Sequence, residues 1–216
     1  MQTIEEGIKS PPISPVISKK ILERITEEGK KTVSNFSIKP LQEEYYINLY
    51  IYFSGSDKSK YDLNKGIMIL GDVGTGKTLS MQIMQRLFRN FGIVNTRYII
   101  RDFLNEQRSG TIIDLYGRES FKRRIGNSLD RNKPINWCFD DLGLENVEAK
   151  NYGNNIAVME EILLDRYEMY CAYGMKTYGT TNLNVDMIEK SYGKRVRDRF
   201  RQMMNMVILS GESNRK

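Results

Sequence analysis

The stretch GIMILGDVGTGKTLSMQIMQRLFRN, residues 66–90, decides the reading of this chain. It opens on Gly66–Leu70, a short apolar run with the length of a buried strand. It continues as Gly71-Asp72-Val73-Gly74-Thr75-Gly76-Lys77-Thr78, the spacing G-x-x-x-x-G-K-T. Beyond it Leu79, Ile83, Leu87 and Phe91 recur at helical spacing, so residues 77–90 read as a helix with one apolar face. In the order strand, glycine loop, helix, the glycines let backbone N–H groups turn inward around phosphate oxygens. The helix N-terminus adds positive potential at the same place. The stretch therefore predicts a site for a nucleoside triphosphate with magnesium, lined by Gly71 through Leu79. Lys77 would reach the β- and γ-phosphates and Thr78 would hold the metal.

A triphosphate site needs a second acid for magnesium, and residues 135–139 (INWCF) supply the strand for it, ending in Asp140-Asp141. An apolar strand delivers its last carboxylate to the carboxyl edge of the sheet, where ligands bind in open α/β folds. Asp140 would hold magnesium, directly or through water, and Asp141 would polarise the attacking water, with Glu145 as the other acid nearby. Trp137 within this strand reads as core. The next short strand, residues 177–181, ends in Thr180-Thr181-Asn182, where a polar side chain can orient water or touch the γ-phosphate. The last feature is the basic run from Gly193 to Arg201 (GKRVRDRFR). It has three readings: a solvated helix face, a phosphate-binding patch for DNA, or an arginine finger. A finger so far along the chain from its own loop would act on a neighbouring subunit.

Outward from these motifs the chain alternates strand and helix. Pro40 opens a helical stretch over 41–53. A second strand is expected at 96–100 (TRYII), with helices at 102–108, 119–127 and 156–170, the last carrying the stripe Ile156, Met159, Leu163, Tyr167, Tyr170. Helices over 184–203 and a strand at 206–209 close the pattern. Alternation of this kind predicts an α/β fold with a mostly parallel sheet covered by helices on both faces, and with the loop at 71–78 this is the three-layer αβα sandwich of a P-loop NTPase. Residues 1–35 differ from the rest. Pro11, Pro12 and Pro15 interrupt them, and only 18–30 could form a short helix, ending at Gly29. They read as an N-terminal arm, either a tail or a segment that docks on a partner, beside one domain over 36–216.

The totals are compatible with this. A chain of 216 residues holds one α/β domain and an appendage. No apolar run approaches the roughly 20 residues that span a bilayer, and the N-terminus lacks the order of a signal peptide, so the expected location is cytoplasmic. Two cysteines and no histidine exclude the common zinc patterns and histidine acid–base chemistry. Cys138 and Cys171 both read as buried thiols. The net charge of +6 permits contact with nucleic acid.

Taken together, GDVGTGKT, CFDDLGLE, LLDRYEMY, TTNL and YGKRVRDRFRQM resemble an AAA+ ATPase of the DnaC/DnaI/IstB type, the bacterial or phage helicase loaders and transposon ATP-binding proteins. The resemblance spans residues 36–216. It implies an AAA+ core without a full helical lid, ATP and Mg2+ as cofactors, and hydrolysis that depends on an oligomer. It makes Asp140 the Walker B aspartate and puts Asp141 in the place of the glutamate common elsewhere. It makes Asn182 the sensor 1 residue and Arg199 the finger acting in trans, with Arg195 a second basic residue of that box and Arg215 a C-terminal arginine of the group. Lys122, Arg123 and Arg124 fall where the resemblance would put a DNA contact, the other reading being a plain surface helix. The partners implied are single-stranded DNA, a replicative helicase or a transposase, and further copies of the chain, with no membrane. The leading expectation is loading or remodelling of a replicative helicase. The alternatives are a transposition ATPase that recruits or regulates a transposase, and a nucleotide-gated DNA- or protein-binding module with little turnover. A small-molecule kinase would need an acceptor pocket and lid arginines, and would need neither Asn182 nor an oligomer. The short, proline-broken arm departs from the longer N-terminal domain of many loaders.

Overall fold

The computed structural model describes residues 14–105, 111–124, 128–144 and 158–211. The apolar run that opens the decisive stretch is β1 (Gly66–Leu70), buried along its whole length. Its side chains alternate between two cores, as a strand with period two requires. Ile67 and Ile69 join one cluster, while Met68 and Leu70 join the other on the opposite face.

The first cluster lies under α1 (Pro15–Lys30), α2 (Glu43–Phe53) and α3 (Lys77–Phe88). Ile25 of α1, Leu49 of α2, and Ile83 and Met84 of α3 are fully buried there. Phe53 stacks on Phe88 and Phe91, and Phe91 meets Tyr178 at 4.9 Å. Residues 15–30 are thus helix packed on the same core as α2 and α3. Pro15 sits in the first helical turn, where its missing N–H costs nothing, and the Ser14 hydroxyl accepts from the Ile17 N–H.

The second cluster is covered by α4 (Thr96–Asn105), α5 (Thr111–Tyr116), α6 (Val158–Tyr173) and α7 (Val185–Met203). Within α7, Gly193 has φ 81° and ψ 163°, so the element is two helices joined at a kink. Only glycine takes that conformation without strain. Between the helical layers run β1, β2 (Gly92–Asn95), β5 (Trp137–Leu142), β6 (Thr177–Thr181) and β7 (Met204–Ile208). They are all parallel, in the order β2-β5-β6-β1-β7. β6 therefore separates the strand that feeds the glycine loop from the strand tipped by Asp140. A two-stranded antiparallel ribbon, β3 (Phe121–Arg123) with β4 (Leu129–Pro134), stands apart from this sheet.

Three sequence expectations are corrected. The strand expected at 96–100 is the start of α4, and the strand is β2, four residues earlier in its start. Thr96, Ile99 and Ile100 are buried and Phe103 half-buried, which is helical spacing; the β-branched composition of TRYII masked it. The helix expected at 119–127 is replaced over its described residues by β3, whose buried Phe121 is edge-on to Tyr173 at 5.3 Å. Cys171 is exposed, whereas Cys138 is buried as expected and its thiol pKa is pushed up by that burial. Trp137 packs as core, its ring 5.2 Å from Tyr116 and its Nε1–H donating to Ser120 Oγ at 2.9 Å.

At the amino edge of β5 and β6 the sheet is closed by Arg166 of α6, which is fully buried. Its guanidinium donates to Thr177 Oγ1 at 2.7 Å and to the carbonyls of Tyr116 and Lys176 at 2.8 Å and of Ile135 at 3.3 Å.

Candidate functional site

At the opposite, carboxyl edge the chain leaves β1 into the glycine loop. Gly76 has φ 101° and is the N-cap of α3, a left-handed position that suits glycine and points the first amides of the helix into the loop. Thr75 Oγ1 donates to the Asp72 carbonyl at 2.9 Å and is itself buried, while Val73 at the crest of the loop is exposed. The Lys77 ammonium is drawn into this loop. It donates at 2.7 Å to each of three oxygens, the Gly71 carbonyl, the Asp72 carbonyl and Asn182 Oδ1. The structure thus brings Asn182, just past β6, onto the lysine of the loop across a separation of 105 positions.

The second convergence is on Asp140. One of its oxygens, Oδ1, accepts from Thr78 Oγ1 at 2.7 Å and from Thr180 Oγ1 at 2.7 Å. The carboxyl is buried, and that burial raises its pKa above the ordinary value; the Thr180 and Thr78 hydrogen bonds pull the other way, and the charge of Asp141 adds to the rise. Thr78 and Asp140 form a pair of hard oxygen donors at one place, the donor type that magnesium takes, so the residues present fit that ion.

Asp141 is next to it with φ 60°, a positive value in a non-glycine residue. Three bonds hold it there. Its N–H donates to Thr180 Oγ1 at 3.0 Å, its carbonyl accepts from Thr96 Oγ1 at 3.1 Å, and its Oδ2 accepts from Asn95 Nδ2 at 3.3 Å. The turn also breaks the β5–β6 register between Phe139 and Leu142. Thr180 is therefore the joint of the site. Its hydroxyl donates to Asp140 and accepts from the Asp141 backbone, so one side chain orients both acids.

Beside the loop opens a cleft of about 210 Å3 lined by Thr75, Gly76 and Leu79 of the loop and α3, by Gln42 and Tyr46, and by residues 33–39 that join α1 to the next helical turn. Val33, Asn35 and Phe36 contribute to its wall. A concave space adjoining the phosphate loop, with apolar Val33, Phe36 and Leu79 set among polar Asn35, Ser37 and Gln42, is of the kind that receives a nucleoside.

Other residues singled out in the sequence lie elsewhere. Arg199 of α7 stacks over the Tyr167 ring of α6 at 4.3 Å, on the face made by those two helices. Arg195 lines a separate cleft with Asp114, Glu161, Asp165 and Glu168. Lys122, Arg123 and Arg124 are exposed on the ribbon, where Arg124 pairs with Asp130 at 2.8 Å and Arg123 lies 3.8 Å from Glu119. Glu145 and Arg215 lie outside the described residues. Sequence reasoning passed over Asn95, Thr96 and the 33–39 wall. Asn95 had a local signal, since its side chain also accepts from the Arg97 N–H at 3.1 Å as a helix cap does, but reading a strand at 96–100 hid it. The wall had none, being built by a contact distant in sequence.

No family model matches the chain, and no curated protein matches it in sequence. Among solved structures, DnaI is similar with a TM-score of 0.55 at 19% identity, covering 88% of this chain and 93% of that one. The DnaC helicase loader is similar with a TM-score of 0.54 at 14% identity, covering 87% of this chain and 99% of that one. The replication initiator DnaA, bound to AMPPCP and single-stranded DNA, is similar with a TM-score of 0.55 at 16% identity, covering 83% of this chain and 49% of that longer one. This chain has the fold of the P-loop AAA+ ATPases, in the form that the DnaC and DnaI structures take.

Proposed function

We propose that the chain binds ATP with magnesium at Gly71–Leu79 and hydrolyses it, as a AAA+ protein that loads or remodels a replicative helicase on single-stranded DNA. The observation that carries this reading is the double convergence at the carboxyl edge of the sheet, Lys77 on Asn182 and Thr78 on Asp140. Oxygens now on Lys77 mark where phosphate oxygens would take its donors. Magnesium held by Thr78 and Asp140 would neutralise charge on the phosphates. Asp141, fixed by Asn95, Thr96 and Thr180, would accept a proton from the attacking water. Asn182 would orient that water or the γ-phosphate, and Arg199 would reach the site of the next subunit. The cleft beside Leu79 would take the nucleoside. Fold neighbours that act in replication, including one holding a nucleotide analogue and single-stranded DNA, favour a replication role over transposition. Such a role places the protein in the cytoplasm. Among the described residues no helix is long and apolar enough to cross a membrane.

Two experiments test the reading. Specific ATPase activity should rise with protein concentration if sites are completed between subunits; a concentration-independent rate would contradict a shared site. Capture of host proteins on the tagged chain with ATPγS and single-stranded DNA, against Lys77→Ala, should recover a replicative helicase only when nucleotide is bound. Recovery of a transposase would move the protein to transposition.

A further inference from the structure

The basic run of α7 holds five arginines and lysines close together, and the structure treats them differently. Arg197 is consumed by acids, with Glu189 at 2.5 Å and Asp198 at 2.8 Å. Arg195 faces the acidic cleft of Asp114, Glu161, Asp165 and Glu168. Arg199 has no carboxylate partner among the described residues. Its guanidinium lies 4.3 Å from the centre of the Tyr167 ring and donates one long bond, 3.4 Å, to the Tyr167 hydroxyl. That hydroxyl in turn donates to Gln202 Oε1 at 2.5 Å. Gln202 is three positions after Arg199, on the same face of α7.

A guanidinium held over a ring by a cation–π contact and one long hydrogen bond keeps its other N–H donors for the oxygens of an anion such as a phosphate. An acid in the same place would hold the arginine more tightly but would occupy those donors and cancel its charge. A flexible, unsupported arginine would keep its charge but would have to lose rotamer freedom each time it engaged. Stacking on an aromatic ring fixes direction without spending charge. The Tyr167–Gln202 bond fixes the ring in turn, so the two helices together set the angle at which Arg199 leaves the protein.

We propose that Tyr167 is the positioning residue of the arginine finger, holding Arg199 extended and uncompensated for the γ-phosphate of the neighbouring subunit. This rests on the reading of Arg199 as a finger in trans.

The test uses mixed assemblies. Chains with Arg199→Ala keep an ATP site and lack a finger, and chains with Lys77→Ala keep a finger and lack a working site. Mixing them should restore ATPase activity. Adding Tyr167→Ala to the Lys77→Ala chain should lower the restored rate by about tenfold or more, since small misplacements of a catalytic group are costly. Tyr167→Phe in that chain keeps the ring and should lower it only about threefold, the effect of one lost hydrogen bond. KM for ATP should not change. Adding Tyr167→Ala to the Arg199→Ala chain instead should leave the restored rate within about twofold, because that chain donates no finger. A residue needed only for folding would lower the rate from either chain, so equal losses would overturn the proposal, as would full rescue by the Lys77→Ala, Tyr167→Ala chain. If the parent mixture itself shows no rescue, the finger reading fails first, and Tyr167 loses its role with it.

Discussion

A buried charge stands at each end of β5 and β6, and the two charges are handled in opposite ways. At the amino edge Arg166 is answered by three backbone carbonyls and the Thr177 hydroxyl, all on fixed elements. Burial still depresses its pKa, to about 9, yet it remains charged at neutral pH with its N–H groups occupied. At the carboxyl edge Asp140 is answered by two hydroxyls that bond the same oxygen, and burial raises its pKa. The charge next to it is that of Asp141, which has the same sign and adds to the rise. One charge is a finished structural part. The other is held at a cost that a metal ion would repay.

The contrast would break most visibly at Arg166. Arg166→Ala removes the donor shared by the Thr177 hydroxyl and three carbonyls and leaves a cavity in its place, and should lower stability by about 3–5 kcal/mol in urea unfolding. A loss under about 1 kcal/mol would mean that the guanidinium is not structural. The other end should respond with the opposite sign. Asp140→Asn should lower hydrolysis roughly 100–1,000-fold, while raising the melting temperature of the nucleotide-free protein by about 2–4 °C. Between the ordinary carboxylate pKa and its raised value in the fold, the folded state binds more protons than the unfolded. Stability of the nucleotide-free protein therefore falls as pH rises through that window, and the asparagine variant escapes the loss. A lower melting temperature for Asp140→Asn would show that the acid is structural after all.

Magnesium requires the charged carboxylate, so metal-dependent ATP binding should weaken on acidification, beginning above the pH at which an ordinary aspartate titrates. The Asp140→Asn variant should lack this dependence; an identical profile would assign it to another group. The smallest effect sharpens the comparison. Asn95 both caps α4 and holds Asp141, so Asn95→Ala should cost about 1 kcal/mol of stability. It should change turnover severalfold while leaving ATP affinity alone, measured by thermal melting and steady-state kinetics. A loss of affinity instead would place Asn95 at the nucleotide.

How much of this could be read from the sequence follows from the range of the interactions. β1, the glycine loop and α3 form one uninterrupted local signal, and they lie where periodicity puts them. The acid-tipped strand was legible for the same reason, although it starts two residues later and extends through Asp141 to Leu142. TRYII was misread because three adjacent β-branched or aromatic residues outweighed a helical spacing that needs Phe103 to be seen. The ribbon was misread because Lys122, Arg123 and Arg124 favour a helix locally, while Phe121 is drawn to Tyr173 of α6, far along the chain. Thr180 was visible in the TTN element, but its double bond to Asp140 and Asp141 depends on β5 lying beside β6. The cleft wall at 33–39 exists because α1 packs on α2 and α3, a contact that no local pattern announces.

Everything proposed for this protein depends on Lys77 and Asn182, with Thr78 and Asp140, assembling one magnesium–ATP site. Equilibrium binding of a fluorescent ATP analogue, with magnesium and with EDTA, decides whether they do. The native chain should show saturable binding that magnesium strengthens. Lys77→Ala should weaken it at least about thirtyfold, and binding by Asp140→Asn should no longer respond to magnesium. Equal binding by the native and Lys77→Ala chains, or none by the folded native chain, would contradict a site built from these four residues.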